Sequence, residues 1–135
     1  MRQNLQGAVT AQEASYGLLK AAAVGFTGES TPRGCLLASS AISCSVMAQD
    51  VKDALADLRK CIEPSLRDKV RRGIKDGSLP VGTDAATLAA HTLAVIQGMS
   101  TLARDGATRA SLLRLADIAM RCWPTMSKAN RRTAS

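Results

Sequence analysis

The residues best suited to chemistry in this chain are its four cysteines and its single histidine. Cys35 stands in the stretch STPRGCLLASS, where Thr31 and Pro32 predict the N-cap and the first residue of a helix. A thiol in the first turn of a helix lies near partial positive charge, which favours the thiolate. Cys35 is therefore a candidate nucleophile, a candidate redox sensor, or a small apolar residue in a tight packing site.

Catalysis and metal binding find no further support among these side chains. A catalytic Cys35 needs a base, and His91 is the only histidine in the chain. The cysteines at 35, 44, 61 and 122 show no C-x-x-C spacing, so they do not form the clustered ligand set of a zinc site. We therefore predict no catalytic residue, no metal site and no cofactor, and we interpret Cys35 as a packing residue.

The composition predicts a single all-α domain. A chain of 135 residues fits one domain with a real core, and 46% of its residues are hydrophobic while only 2% are aromatic. The core must then be built from Ala, Leu, Val, Ile and Met, and Ala and Leu are the best helix formers. The start of the chain has no long apolar region of a secretory signal, and no apolar run reaches the ~18 residues of a membrane span. We expect a cytoplasmic protein with free thiols and no membrane contact.

The net charge of +7 is concentrated in two places, between Arg59 and Lys75 and after Asp117. Such clusters suit contact with nucleic acid or an anionic surface. They equally suit a solvated helix face followed by a basic tail. The near absence of aromatics argues against a platform for single-stranded nucleic acid.

Apolar periodicity and capping residues predict five helices. Thr10-Ala11-Gln12-Glu13 has the form of a capping box, Asp84 and Thr108 are candidate N-caps, and the dipeptides at 76–77 and 105–106 predict helix ends. The predicted helices cover about 11–25, a short segment from 31 that carries Ile42, about 50–76, about 84–104, and 108 to about 123.

The helix at 84–104 is apolar around much of its girth. One stripe holds residues 88, 92, 95, 99 and 102, and a second holds 89, 93, 96, 100 and 103. Such a helix is buried on more than one side. We therefore expect one side to face the domain core and another to face a partner subunit. Ala90, Ala94 and Gly98 add small residues that let a second helix approach closely.

Several motifs together resemble the C-terminal regulatory domain of the TetR family of transcriptional repressors. They are TPRGCLLASSAI, the long helix that ends KDGSLP, the segment DAATLAAHTLAVIQGMSTLARDGATRASLLRLADIAM, and the terminal Trp-Pro. The resemblance covers roughly residues 9–124. Its most specific parts are the RGCLL turn at 33–37 and the block that runs from Gln97-Gly98 to Ala103-Arg104-Asp105-Gly106.

The resemblance implies a homodimer that senses a small molecule and has no enzymatic activity. In this family the last two long helices pair with their copies as a four-helix bundle, and the earlier helices enclose a mostly apolar pocket. The implied effector-binding residues are Tyr16, Phe26, Ser39, Leu58, Ile62, His91, Val95 and Met99. The implied dimer-interface residues are Leu93, Ile96, Gln97, Ser100, Leu112, Leu115, Ala119 and Trp123.

The chain departs from the family pattern at its start, because no helix-turn-helix precedes Thr10. We expect residues 1–8 to be a remnant of the connecting helix or a flexible start, 9–125 to be the ligand-binding and dimerisation domain, and 126–135 to be a basic flexible tail. DNA is then a partner only through a helix-turn-helix domain that these residues do not contain. The alternative is a stand-alone helical dimerisation or interaction protein that needs no ligand.

Overall fold

The computed structural model describes residues 10–28 and 51–126, with side chains from residue 60 onward in the second range. All the regular structure in these ranges is helical, which confirms the predicted all-α class. The predicted second helix, with Cys35 and Ser39, lies outside the described residues. The four described helices are α1 (Ala11–Phe26), α2 (Val51–Asp76), α3 (Ala85–Arg104) and α4 (Arg109–Met120).

Three helices begin at the residues that the sequence predicts as caps. The Thr10 hydroxyl accepts a hydrogen bond from the backbone N–H of Glu13 (3.1 Å), and the Glu13 carboxylate accepts one from the Thr10 N–H (3.3 Å). This reciprocal pair is a capping box and opens α1. The side chains of Asp84 and Thr108 each accept a hydrogen bond from the N–H three residues onward, at the starts of α3 and α4.

Two glycines end α2 and α3. Gly77 and Gly106 have φ angles of 88° and 102°, in the left-handed region that L side chains rarely adopt. Each follows the last turn of its helix, where such a residue commonly closes the C-terminus. Both turns fall at the helix ends that the sequence predicts.

The helices pack so that α1 and α3 each contact the other three, whereas α2 and α4 do not meet within the described residues. The larger core cluster lies where α1 and α3 cross, and a smaller one surrounds Trp123. The largest fully buried side chains are Phe26, Leu18, Leu19, Ile62, Leu66, Ile96, Met99, Leu112 and Val70.

Candidate effector site and exposed helix face

Three of the predicted effector-binding residues come together in the main core. Phe26, Ile62 and Met99 are each at most 2% exposed and belong to one cluster, to which α1, α2 and α3 each contribute one of them. Tyr16 and Val95 are half-buried and pack against the same cluster. The arrangement is an apolar region to which three helices contribute.

The remaining predicted contacts fall elsewhere. Ser39 lies outside the described residues, and so does the side chain of Leu58. His91 is half-buried, but its described contact is with Cys122 and not with the main core. The assignment of all eight residues to an effector site stays a prediction.

A buried pair of hydroxyl groups joins α1 to α3 inside the apolar core. Ser15 and Thr92 are fully buried, and their hydroxyl oxygens lie 2.7 Å apart. The Thr92 hydroxyl donates to the carbonyl of Leu88 (3.2 Å), so the proton between the two oxygens comes from Ser15. Sequence reasoning missed this pair, although each residue stands among apolar positions of its helix. The pair provides buried polar atoms between α1 and α3.

His91 and Cys122 form a thiol–imidazole pair between α3 and the turn after α4. The sulfur lies 3.7 Å from Nδ1 and 3.6 Å from Nε2, and the thiol donates to the Ala119 carbonyl (3.1 Å). The Cys122 side chain is exposed. The sequence separation of 31 residues kept this contact from being predicted.

Tyr16 points to the surface, where it links α1 to α4. Its hydroxyl donates to the carboxylate of Asp117, and the Lys20 ammonium lies 4.3 Å from the centre of its ring. The hydrogen bond to Asp117, then desolvation and the carboxylate's charge, raises the pKa of the Tyr16 hydroxyl above its ordinary value. At the other end of α1, Arg109 Nε donates to the Thr27 hydroxyl (3.1 Å). These two contacts fix α4 against α1.

The predicted interface residues lie mainly inside the protomer. The crossing of α3 with α1 and α2 covers the second stripe of α3, and the packing of α4 against α1 buries Leu112 and Ala119. The assignment of these residues to a dimer interface stays a prediction. In this structure Leu93, Ile96, Ser100, Leu112, Ala119 and Trp123 are buried within the chain, whereas Gln97 and Leu115 are half-buried.

The solvent side of α3 carries small residues instead. Ala90, Ala94 and Gly98 are exposed and follow one another at four-residue intervals. Of the four large apolar side chains exposed in the described residues, Leu102 lies on α3 (45% exposed) and Ile118 on α4 (58% exposed). We call the surface formed by these five residues the open face. A Cβ atom built on Gly98 meets no atom within 4 Å, so packing inside the chain does not require a glycine there.

Trp123 anchors the C-terminal turn against the starts of α1 and α3. It is 4% exposed and clusters with Ala11, Val70, Leu79 and Ala85. Its indole Nε1 is buried without a hydrogen-bond partner in the described part of the chain. The indole therefore stabilises the fold through apolar contact.

Two kinds of site find no support in the described ranges. No group of three or more His, Cys, Asp or Glu side chains lies close enough to hold a metal ion among the residues described. None of the described helices combines the length and the apolar character of a membrane span.

Comparison with known proteins gives consistent matches. Residues 16–118 match the family described as tetracyclin repressor-like, C-terminal domain. The chain is 31% identical over 103 residues to the HTH-type transcriptional repressor ComR of Escherichia coli (strain K12), a match that covers 76% of this chain and 49% of ComR.

The fold is similar to that of solved structures of the TetR family transcriptional regulator CifR. One is a cysteine mutant in complex with 26-bp double-strand operator DNA, with a TM-score of 0.71, 34% identity, and coverage of 91% of this chain and 64% of CifR. A second CifR cysteine mutant with the same length of operator DNA gives 35% identity at the same TM-score. The chain thus spans about half the length of the curated relative and less than two thirds of CifR.

Proposed function

This chain belongs to the family of tetracyclin repressor-like C-terminal domains, and we propose that it is the dimerising and effector-sensing part of a transcriptional repressor. The family match over residues 16–118 is the observation that carries the proposal. ComR is a repressor by name and CifR is seen on operator DNA. We propose that DNA contact in the intact protein comes from a helix-turn-helix domain, that the role is regulation without turnover, and that the protein acts in the cytoplasm.

The proposed dimer forms through the open face of α3 and α4. Leu102 and Ile118 leave apolar surface in water, and burying such surface favours association. The exposed small residues of α3 let a second helix approach closely, and a two-fold axis brings the same surface of a second copy against them. This proposal moves the interface from the second stripe of α3 to the opposite side of that helix.

Dimerisation of this kind makes stability depend on chain concentration. A partner that binds only the folded chain stabilises it by mass action. The urea midpoint of the isolated chain should therefore rise as its concentration rises. A urea midpoint that stays constant over about a hundredfold range of chain concentration would contradict the proposed dimer.

The proposed effector is a small, largely apolar molecule that binds between α1, α2 and α3. Phe26, Ile62 and Met99 supply apolar contacts from these three helices. The buried Ser15–Thr92 pair joins α1 to α3 and supplies polar atoms to orient a single polar group. Binding of an effector then favours one arrangement of the helices, which is how a domain of this kind couples its pocket to DNA affinity.

A thermal-shift screen with small apolar compounds tests the effector site. A compound that raises Tm in the wild-type chain should give a changed shift in Met99→Ala. The matched control is Leu112→Ala, an equally buried position on α4. A compound whose Tm shift changes by the same amount in Met99→Ala and Leu112→Ala would contradict the proposed location of the site.

A further inference from the structure

The pair formed by His91 and Cys122 has the components of an activated thiol. Cys122 lies two residues after the end of α4 with an exposed side chain, and His91 lies on α3 with its ring 3.6–3.7 Å from the sulfur. A nucleophile beside a base is the arrangement by which proteins raise thiol reactivity, and the contact is often longer when no substrate is bound. The exposed sulfur is open to a small molecule from solution.

The helix that precedes Cys122 does not itself favour a thiolate at this position. In the resting state the thiol donates to the Ala119 carbonyl, at the carbonyl end of α4. This end of a helix does not stabilise an anion. The imidazole of His91 contacts the sulfur and is placed to accept the thiol proton. The sulfur is almost equidistant from both ring nitrogens, so rotation of the ring is needed to turn one of them toward the thiol proton.

We propose that Cys122 is a covalent modification site for soft electrophiles of the α,β-unsaturated carbonyl class, with His91 as the base. The sulfur electron pair forms a bond to the β-carbon while the thiol proton passes to an imidazole nitrogen. The π electrons of the carbon–carbon double bond move toward the carbonyl as an enolate, which then takes the proton back on the α-carbon. The reaction is an addition without oxidation or leaving group. It goes beyond the proposed function, which requires no covalent chemistry.

Modification of Cys122 should affect the open face, because the His91–Cys122 pair lies beside it. His91 is adjacent in sequence to Ala90, a residue of the open face, and Cys122 lies one helical turn beyond Ile118. An adduct on Cys122 adds bulk at the edge of this surface. If the open face forms the dimer, as the proposed function holds, modification weakens the dimer.

The test measures the labelling rates of Cys122 and Cys61 in the same molecule. N-ethylmaleimide is the probe, and peptide mass spectrometry follows both cysteines in the wild-type chain, in His91→Gln and in the control variant Thr101→Ala, an exposed position on α3. Cys61 is half-buried and serves as an internal reference for folding. We expect His91→Gln to slow labelling of Cys122 by at least about tenfold while Cys61 and the control stay unchanged.

Two other results would contradict different parts of the proposal, the pair itself and its link to the dimer. A change in Cys122 labelling smaller than about twofold, or parallel changes at both cysteines, overturns the proposed pair. Sedimentation of the labelled chain then tests the consequence separately. An adduct that forms as expected but leaves the assembly state unchanged refutes only the link to the dimer.

Discussion

The hydroxyl oxygens of Ser15 and Thr92 lie 2.7 Å apart in the core and join α1 to α3 across 77 residues of sequence. The Thr92 hydroxyl donates in turn to the Leu88 carbonyl, so Ser15 depends on Thr92 as its acceptor. Both side chains are fully buried, and a buried hydroxyl without a partner is costly. The pair therefore fixes which face of α1 meets α3.

Removing Thr92 alone should cost more than removing both members of this pair. Thr92→Val keeps the shape of the side chain but leaves the Ser15 donor without its acceptor, which we expect to lower the free energy of unfolding by about 1–3 kcal/mol. Ser15→Ala should cost less, because Thr92 keeps its bond to Leu88. The double variant should recover part of the loss. Urea denaturation of the four proteins measures the coupling, and additive single effects would refute it.

Gly73 is a position where a methyl group should destabilise the fold. A Cβ atom there would lie 3.0 Å from both Leu79 Cδ1 and Ser78 Oγ. The Ser78 hydroxyl donates to the Gly73 carbonyl (3.2 Å), and the Leu79 side chain is buried at 4% exposure, so both neighbours are restrained. We expect Gly73→Ala to lower the urea midpoint although alanine favours a helix by about 1 kcal/mol over glycine. An unchanged or higher midpoint would show that the loop adapts.

Tyr16 should lose its hydroxyl proton at a higher pH than a free tyrosine does. The hydrogen bond to Asp117 raises the pKa of its hydroxyl, so the contact contributes stability below the pKa of the unfolded chain and is lost as pH rises through the folded pKa. Tyr16 is the only tyrosine, so phenolate absorbance reports this group alone. Asp117→Ala should move the midpoint back toward the ordinary value, whereas Asp68→Ala on α2 should not. A midpoint that ignores the Asp117 substitution would contradict the contact.

The caps and the helix ends could be predicted because they depend on neighbours in sequence. Thr10, Asp84 and Thr108 all open helices where their local patterns indicate, and the glycines at 77 and 106 close α2 and α3. A local pattern also shows that α3 is apolar on several sides. It does not show which side each neighbouring helix covers, since that depends on packing between distant segments.

The side chains of the sites were harder to predict for the same reason. Leu93 and Ile96 lie on a stripe that suits either a core or a partner, and the crossing of α3 with α1 and α2 covers it within the chain. The contact between His91 and Cys122 joins positions that no periodicity relates. The small residues indicated the exposed side of α3 better than the apolar stripes did, because Ala90, Ala94 and Gly98 lie on its surface.

Sedimentation equilibrium of the wild-type chain, Gly98→Leu and Gly82→Leu tests whether the chain dimerises through the open face. A Cβ atom at either glycine meets nothing within 4 Å, so both variants should fold, but only Gly98 lies on the open face. We expect a wild-type dimer at micromolar concentration, a Gly98→Leu monomer, and a Gly82→Leu dimer. A wild-type chain that stays monomeric, or a Gly98→Leu variant that sediments as the wild type does, would contradict dimerisation through this face.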